Sequence, residues 1–354
     1  MGRKVRMFTT YADDSHPRRW HEWDEDALIT SIRRGSPNLT SAWRPFDMLT
    51  GLEAPSPGAP QLTTFEADDL VVGVEHNGGQ MPFYYRSLDH DEMFLQFTGE
   101  STIETELGEF QTKPGEMIYI PFGIAHRATG TPDSLRVTVA YHGKIDMGVD
   151  PAAPKTNTAW HVSRKSDASV NTSMISSKMG EQLPDGQVWE VMGHWKDETP
   201  YWVVRQEAEM ANSAQPEEGT PISILRPFDY FEGTTGKGRA RAPVIVSSSG
   251  LMIECYNTTG EQFGFHRNLH ADELWFHFAG SSHNDTELGT CELPTGGMTF
   301  VPEGVGHRTT GSPDPRMLMV MYHPYPTRVT IDPSQHVRET EFETAIAERV
   351  EVQT

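Results

Sequence analysis

The sequence predicts an all-β chain built from two copies of one small barrel, with little helix. A set of residues recurs along the chain at a constant offset of 181 positions. Glycine and proline, which fix the backbone at turns and strand ends, are frequent among them. Between these landmarks lie short segments rich in β-branched and aromatic residues, the pattern of an antiparallel sandwich or barrel. Two barrels in tandem are consistent with the length of 354 residues.

The repeat extends without a gap over about 65 residues of each copy, which indicates a duplicated unit rather than chance. The matching pairs include Gly79 and Gly260, Glu92 and Glu273, Gly99 and Gly280, Gly115 and Gly296, Pro121 and Pro302, Gly123 and Gly304, His126 and His307, Arg127 and Arg308, and Tyr141 and Tyr322. Further upstream, the tetrapeptide Arg-Pro-Phe-Asp occurs at 44–47 and again at 226–229, one residue off this offset. The duplicated unit is therefore larger than the barrel.

The landmarks divide the chain into three parts. We expect an N-terminal barrel within 1–150, a linker and entry segment within 151–220, and a C-terminal barrel within 221–354. The predicted strands are Glu92 to Phe97, Met117 to Ile120, Val137 to Tyr141, Glu273 to Phe278, Met298 to Val301 and Met317 to Tyr322. Helix is expected mainly in the tail, from Glu339 to Val350.

Charge and composition exclude several classes of protein. The 50 acidic residues outnumber the 29 Lys and Arg, which gives a net charge of -21, and such a chain repels nucleic acid and anionic membranes. Cys255 and Cys291 are the only cysteines, too few for a disulfide framework. No segment approaches the roughly 18 apolar residues of a membrane span, and no signal peptide is recognisable. We expect a soluble cytoplasmic protein.

The second copy carries residue types that bind metals. His266, Glu273 and His307 are the candidate ligands, and His266 and Asn268, two positions apart, are expected to share one face of a strand. Asn268 is predicted either to contact the metal, directly or through water, or to orient the ligands, and His270 is a further possible ligand. Two imidazoles and one carboxylate leave positions open, an arrangement favoured by non-haem Fe(II) oxygenases, although Mn, Ni or Zn fit the same ligands.

The first copy has lost part of this pattern. Tyr85 and Ser87 stand where the second copy has His266 and Asn268, while Glu92 and His126 are retained. His90 could join them, but a clear third ligand is missing. We therefore expect the first barrel to be metal-free, with a structural or partner-facing role.

Side chains near the predicted metal are candidates for substrate contact and proton transfer. Trp275 shares the strand parity of Glu273 and is expected to face inward. The candidate substrate contacts are Trp275, Arg267, Arg308 and Phe265, and the candidate general acids are His277 and His283, the latter predicted in a loop at 281–285.

These residues resemble both halves of the cupin consensus. The first half is met by Gly260, His266, Glu273 and Gly280, and the second by Gly296, Pro302, Gly304 and His307. The resemblance implies a tandem cupin, that is, two double-stranded β-helix or jelly-roll barrels.

The run Phe265-His266-Arg267-Asn268 resembles the metal strand of homogentisate 1,2-dioxygenase. The combination of one barrel with ligands and one without also resembles the large subunit of two-component hydroquinone 1,2-dioxygenase. The resemblance implies Fe(II) held by two His and one Glu, with Asn268 at the place of an Asn ligand. It further implies cleavage of a hydroquinone-like or other phenolic ring with O2, with a homo-oligomer expected and a small companion subunit possible.

Three alternatives remain open at this point, because one fold hosts many functions. The first is another cupin dioxygenase, of the flavonol or diketone type. The second is a redox-neutral isomerase or decarboxylase using Mn or Zn. The third is a non-enzymatic cupin that binds a small molecule.

Overall fold

The computed structural model describes most of both barrels. The described residues are 4–8, 20–24, 41–51, 61–81, 85–87, 90–105, 108–143, 145, 187–192, 201–206, 222–230, 232–234, 244–248, 250–259, 268, 271–286, 289–311 and 316–323.

The strands in chain order are β1 (Lys4–Phe8), β2 (Trp20–Asp24), β3 (Ser41–Trp43), β4 (Gln61–Glu66), β5 (Leu70–His76), β6 (Gly79–Gln80), β7 (Tyr85–Ser87), β8 (Asp91–Thr98), β9 (Ser101–Thr105), β10 (Gly108–Thr112), β11 (Met117–Ile120), β12 (His126–Gly130), β13 (Leu135–Tyr141), β14 (Gln187–Met192), β15 (Tyr201–Gln206), β16 (Ser223–Leu225), β17 (Glu232–Thr234), β18 (Val244–Ser247), β19 (Met252–Thr259), β20 (Asp272–Ala279), β21 (Ser282–Thr286), β22 (Gly289–Leu293), β23 (Met298–Val301), β24 (His307–Gly311) and β25 (Arg316–His323). In the described part of the chain, the helices are one α-helical turn, α1 (Pro45–Met48), and one 3₁₀ turn (Pro227–Tyr230).

The all-β prediction is confirmed. All six predicted strands are present; β11 and β23 have the predicted ends, and the other four are longer by one or two residues at an end. The predicted helix from Glu339 to Val350 lies outside the described residues. No helix among the described residues has the length and apolar character needed to cross a bilayer.

The unit formed by Phe46–Pro227 is one barrel. One sheet has the order β16-β11-β8-β13-β5-β4 and the other has the order β10-β9-β12-β7-β14-β15. A buried apolar cluster, contributed by both sheets, includes Phe94, Ile103, Ile118 and Ala128. The antiparallel strands β11, β8, β13 and β5 of one sheet and β10, β9, β12 and β7 of the other have the arrangement of a double-stranded jelly roll.

The second unit combines Met1–Pro45 with Phe228–Thr354. Its larger sheet has the order β17-β19-β25-β20-β23-β3, with β18 beside β19, and its smaller sheet has the order β22-β21-β24. Trp275, Val320 and Tyr322 belong to its buried cluster. Strands β19, β25 and β20 therefore form the wall on which the candidate site lies.

The unit boundaries differ from those expected at 150 and 221. Both fall inside the repeated tetrapeptide, between Pro45 and Phe46 and between Pro227 and Phe228. The reason is strand pairing, because β3 pairs with β23 and β16 pairs with β11. In addition, β14 and β15 lie within 151–220, the segment expected to be a linker and entry to the second domain, and β14 pairs with β7.

The last strand of the repeat departs from the predicted offset. Tyr141 lies opposite Asp91, whereas Tyr322 lies opposite Glu273, which shifts the matching residues by one. The match predicted between Tyr141 and Tyr322 was therefore wrong. The shift arises in the connection that leads into this strand. The connection that follows Gly311 in the second copy is one residue longer than the connection that follows Gly130 in the first. Consequently Tyr322 shares the inward face with Glu273, and its counterpart in the first barrel is Ala140, opposite Glu92.

Candidate metal centre

Glu273 and His307 meet inside the second barrel. His307 Nε2 lies 3.1 Å from Glu273 Oε1, and the two side chains are 0% and 1% exposed, respectively. The Nδ1 atom of His307 is 3.0 Å from the carbonyl oxygen of Val305. A carbonyl only accepts hydrogen bonds, so Nδ1 carries a proton and Nε2 is the ring atom directed at the carboxylate.

The turn at 302–304 delivers His307 to this point. Gly304 has a φ of +83°, a conformation that glycine adopts without strain. Its N–H donates to the carbonyl oxygen of Asn268 at 2.8 Å, and the N–H of Glu303 donates to Asp272 Oδ1 at 2.7 Å. These bonds tie the turn to the start of β20 and to the segment that carries Asn268. The short spacing from Gly304 to His307 therefore places His307 close to the start of β20.

Trp275 holds the other oxygen of the carboxylate. Its indole Nε1 donates to Glu273 Oε2 at 2.8 Å, and its ring lies edge-on to the His307 ring with centroids 5.4 Å apart. Trp275 was predicted as a substrate contact. In the structure its described polar contact is with Glu273.

Asn268 is buried, with 2% of its surface exposed. Among the described residues, neither its amide oxygen nor its amide nitrogen has a hydrogen-bond partner, and the same holds for Glu273 Oε1. Buried polar atoms left unpaired cost about 1–3 kcal/mol each.

The buried acceptors fit a divalent cation. Two ligand atoms, each about 2.1 Å from a metal and at right angles, lie about 3 Å apart, which matches the spacing between His307 and Glu273. Imidazole nitrogen with carboxylate oxygen is also a donor set that Fe, Mn, Ni and Zn accept. The residues present therefore fit the metal that the sequence predicts.

The remaining predicted ligand, His266, lies outside the described residues. Arg267, Phe265 and the alternative ligand His270 also lie outside them. Within the described ranges, no group of three or more His, Cys, Asp or Glu side chains is arranged to hold a metal ion. The structure thus brings together two of the three predicted ligands, with Asn268 on the adjoining segment.

His277 faces the barrel interior but lies far along the strand from Glu273. The two residues are four positions apart, which is about 13 Å in an extended strand. Its Nε2 is 2.8 Å from Ser282 Oγ. Burial, with the nearby charge of Arg316, lowers the pKa of His277 to about 4. The ring is therefore neutral at pH 7 and supplies no imidazolium as a general acid.

The prediction that His283 lies in a loop was wrong, because it lies in β21. The strand alternates, so Ser282 and Asn284 are buried while His283 is exposed. Arg308, a predicted substrate contact, donates to Asp285 Oδ2 at 2.9 Å and is partly exposed. Strand parity places His283 and Arg308 on the outer face, away from Glu273.

The first barrel has a related but different cluster. His126 Nε2 is 3.5 Å from Glu92 Oε2, and His90 Nε2 is 3.8 Å from Glu92 Oε1. Tyr85, at the place of His266, donates its hydroxyl hydrogen to Glu92 Oε1 at 3.3 Å. Burial and the charge of Glu92 raise the pKa of Tyr85 well above its ordinary value. A neutral phenol therefore stands where the second barrel has an imidazole.

Sequence reasoning missed Glu254, Tyr256 and Tyr322. Glu254 is 2% exposed and accepts hydrogen bonds from the hydroxyls of Tyr256 and Tyr322. Comparison of the two copies could not reveal Glu254, because the first copy has Gly73 at that position. The alternation of residues in β19 was the available signal, since it places Met252, Glu254 and Tyr256 on one face.

The described strands form two repeated barrels, and the second contains the buried pair of Glu273 and His307, which is suited to a divalent cation. No protein-family model matches the chain, and neither does any of the curated proteins. Similar solved structures include a cupin 2 conserved barrel domain protein from Leptotrichia buccalis, with 9% identity, 83% of this chain and 98% of that chain covered, and a TM-score of 0.44. The oxalate decarboxylase of Lactobacillus farciminis in a formate complex has 12% identity, coverage of 84% and 90%, and a TM-score of 0.44. Protein Ylba from E. coli has 9% identity, coverage of 85% and 97%, and a TM-score of 0.43.

Proposed function

We propose that the chain is an Fe(II)-dependent dioxygenase that cleaves the ring of a hydroquinone-like phenol with O2. The observation that carries the metal part is the buried pair of Glu273 and His307, whose Oε1 and Nε2 atoms lie 3.1 Å apart. The reaction class is supported by the sequence resemblance of residues 265–268 to ring-cleaving enzymes. The ligands would be His266, Glu273 and His307, with Asn268 beside them.

When bound, the metal supplies a Lewis-acidic centre with open positions for a phenolate oxygen and for O2. The chain's own residues prepare that centre. Trp275 fixes one oxygen of Glu273 so that the other faces His307. The carbonyl of Val305 holds His307 in the tautomer whose Nε2 can bind a cation.

Burial completes the arrangement. Glu273, His307 and Trp275 are each no more than 3% exposed, so bulk water is excluded from their side chains. Exclusion of water strengthens electrostatic interactions and protects reactive species from side reactions. Valine, leucine and tyrosine side chains of β25 pack against Trp275 and provide an apolar wall suited to an aromatic ring.

The test is oxygen consumption by metal-loaded protein. The chain is purified anaerobically, loaded separately with Fe(II), Mn(II) or Zn(II), and mixed with hydroquinone, homogentisate, gentisate or catechol. We expect O2 uptake with Fe(II) and a hydroquinone-like phenol, and none with Zn(II). His307→Ala is the matched inactive control.

Two results would contradict the proposal. One is the absence of O2 uptake with every phenol in the Fe(II)-loaded protein. The other is metal-dependent release of CO2 from oxalate without net O2 consumption, which would favour the redox-neutral decarboxylase among the alternatives.

A further inference from the structure

The interior of the second barrel contains a second buried carboxylate besides Glu273. Glu254 lies in β19, and its Oε2 accepts hydrogen bonds from the hydroxyls of Tyr256 and of Tyr322, the latter at 3.3 Å. We refer to Glu254, Tyr256 and Tyr322 as the carboxylate–tyrosine cluster. None of these residues belongs to the predicted metal ligands.

Strand register places this cluster in the same interior as the candidate metal centre. Glu254 and Trp275 are both paired with Val320, from the two sides of β25. Tyr322 is paired with Glu273. Two strand spacings separate Glu254 from Trp275, which is about 10 Å between their Cα atoms. The two carboxylates therefore approach a common interior from opposite sides of β25.

The cluster is specific to the barrel with the Glu273–His307 pair. At the Glu254 position the first barrel has Gly73, where an added Cβ would lie 2.8 Å from the carbonyl oxygen of Leu62. The counterpart of Tyr322 there is Ala140, opposite Glu92. The barrel fold itself does not require the cluster, because the first barrel forms without it. The restriction to one copy points instead to the ligand of that copy.

Further buried polar atoms of the same barrel indicate a polar ligand. In the part of the chain that the structure describes, both amide atoms of Asn284 and the hydroxyl of Thr299 have no hydrogen-bond partner, and both residues are 0% exposed. Thr299 is paired with Trp275, and Asn284 with Thr309 in the facing sheet. Such groups are expected to be satisfied in a folded protein.

The chemistry of the cluster selects the ligand. An ionised carboxylate offers only acceptors, with about four lone-pair sites on its two oxygens. It attracts a hydrogen-bond donor and disfavours a second anionic group in a buried site. We propose that Glu254 accepts a hydrogen bond from a substrate hydroxyl remote from the group that binds the metal. Substrates are then neutral diphenols or similar diols rather than dicarboxylates.

This inference rests on the proposed metal-centred function and extends it to substrate choice. Its test is ligand binding to the Zn(II)-loaded protein, measured by titration calorimetry without turnover. The probes are hydroquinone and 4-methoxyphenol, which lacks the second hydroxyl hydrogen. We expect hydroquinone to bind more tightly to the unaltered chain.

Glu254→Gln keeps the side-chain shape and removes its charge. It should weaken hydroquinone binding by roughly 10-fold, because hydrogen bonds to charged groups are stronger than those to neutral ones. Binding of 4-methoxyphenol should stay unchanged. Tyr256→Phe should shift hydroquinone binding in the same direction by a smaller factor, and it provides the test if Glu254→Gln fails to fold.

Equal binding of the two probes to the unaltered protein, or an equal effect of Glu254→Gln on both, would overturn the inference. O2 uptake by the Fe(II)-loaded chain reports separately on the proposed function. If uptake occurs with hydroquinone while Glu254→Gln leaves its affinity unchanged, the function stands and the role of Glu254 falls. If no phenol supports O2 uptake but Glu254→Gln still removes the preference for hydroquinone, the proposed function falls and the role of Glu254 stands.

Discussion

The indole N–H of Trp275 donates to one oxygen of Glu273 at 2.8 Å, which leaves the other oxygen facing His307. Because this hydrogen bond restrains rotation of the carboxylate, Glu273 presents one defined oxygen to a cation. Partners of this kind, next to the ligands themselves, commonly determine metal affinity.

Removal of this hydrogen bond should weaken metal binding. Trp275→Phe keeps an aromatic ring but has no donor, so we expect metal affinity to fall by roughly 10-fold to 100-fold. Competition with a chelator measures the change. Trp43→Phe is the matched control, because Trp43 is buried and its Nε1 has no hydrogen-bond partner among the described residues. Equal losses in both variants would assign the effect to packing.

The matching histidines of the two copies should behave differently. His307→Ala should reduce bound metal to background, because it removes one of the predicted ligands. His126→Ala should leave the metal content unchanged and affect stability at most. Elemental analysis of the purified variants decides between these outcomes. Loss of metal from the His126 variant would show that the first barrel also holds an ion.

The first barrel should gain a metal from a single substitution. Tyr85→His introduces an imidazole where the second barrel has His266, next to Glu92 and His126, which completes the number of protein ligands typical of an open metal site. We expect the metal content per chain to double. Unchanged content, in a variant that folds normally, would show that residues beyond these three determine the difference between the barrels.

His277 should make the stability of the second unit depend on pH. Burial, with the charge of Arg316, lowers its pKa from 6.5 to about 4 in the folded chain. Between these values the unfolded chain binds more protons. Stability is therefore complete above pH 6.5 and falls as the pH drops towards 4, by up to about 3 kcal/mol.

His277→Gln tests this dependence with a residue that the fold already accepts. Gln96 stands at the matching place in the first barrel and accepts a hydrogen bond from Ser101 there. The variant should flatten the change in the urea midpoint between pH 4 and 6.5 relative to the unaltered chain. Identical pH profiles for the two chains would contradict the assignment to His277.

Local patterns in the sequence were sufficient for the core strands, because these depend on short-range spacing and strand parity. Glu273 and His307 lie on β20 and β24, and their pairing was predicted from the resemblance to the cupin consensus. The outward orientation of His283 was not predicted, because the segment 281–285 was interpreted as a loop and alternation of faces applies only to strands. The pairing of β21 with β22 and β24 shows that this segment contains a strand. The unit boundaries at Pro45 and Pro227 could not be predicted, since the pairing of β3 with β23 joins segments far apart in the chain. Glu254 was not predicted, because a search for repeats detects only residues that both copies share, and the first copy has Gly73 at this position.

The position of those boundaries has a consequence for the order in which the chain can fold during synthesis. The unit Phe46–Pro227 is continuous, so its last strand, β16, is available as soon as residue 225 leaves the ribosome. The unit with the candidate metal centre is discontinuous, because β3 is made early and its partner β23 only much later. Domains tend to fold as units while the chain emerges. The barrel with Tyr85 at the place of His266 is therefore complete first, and β3 stays without its partner β23 until the second barrel has been translated.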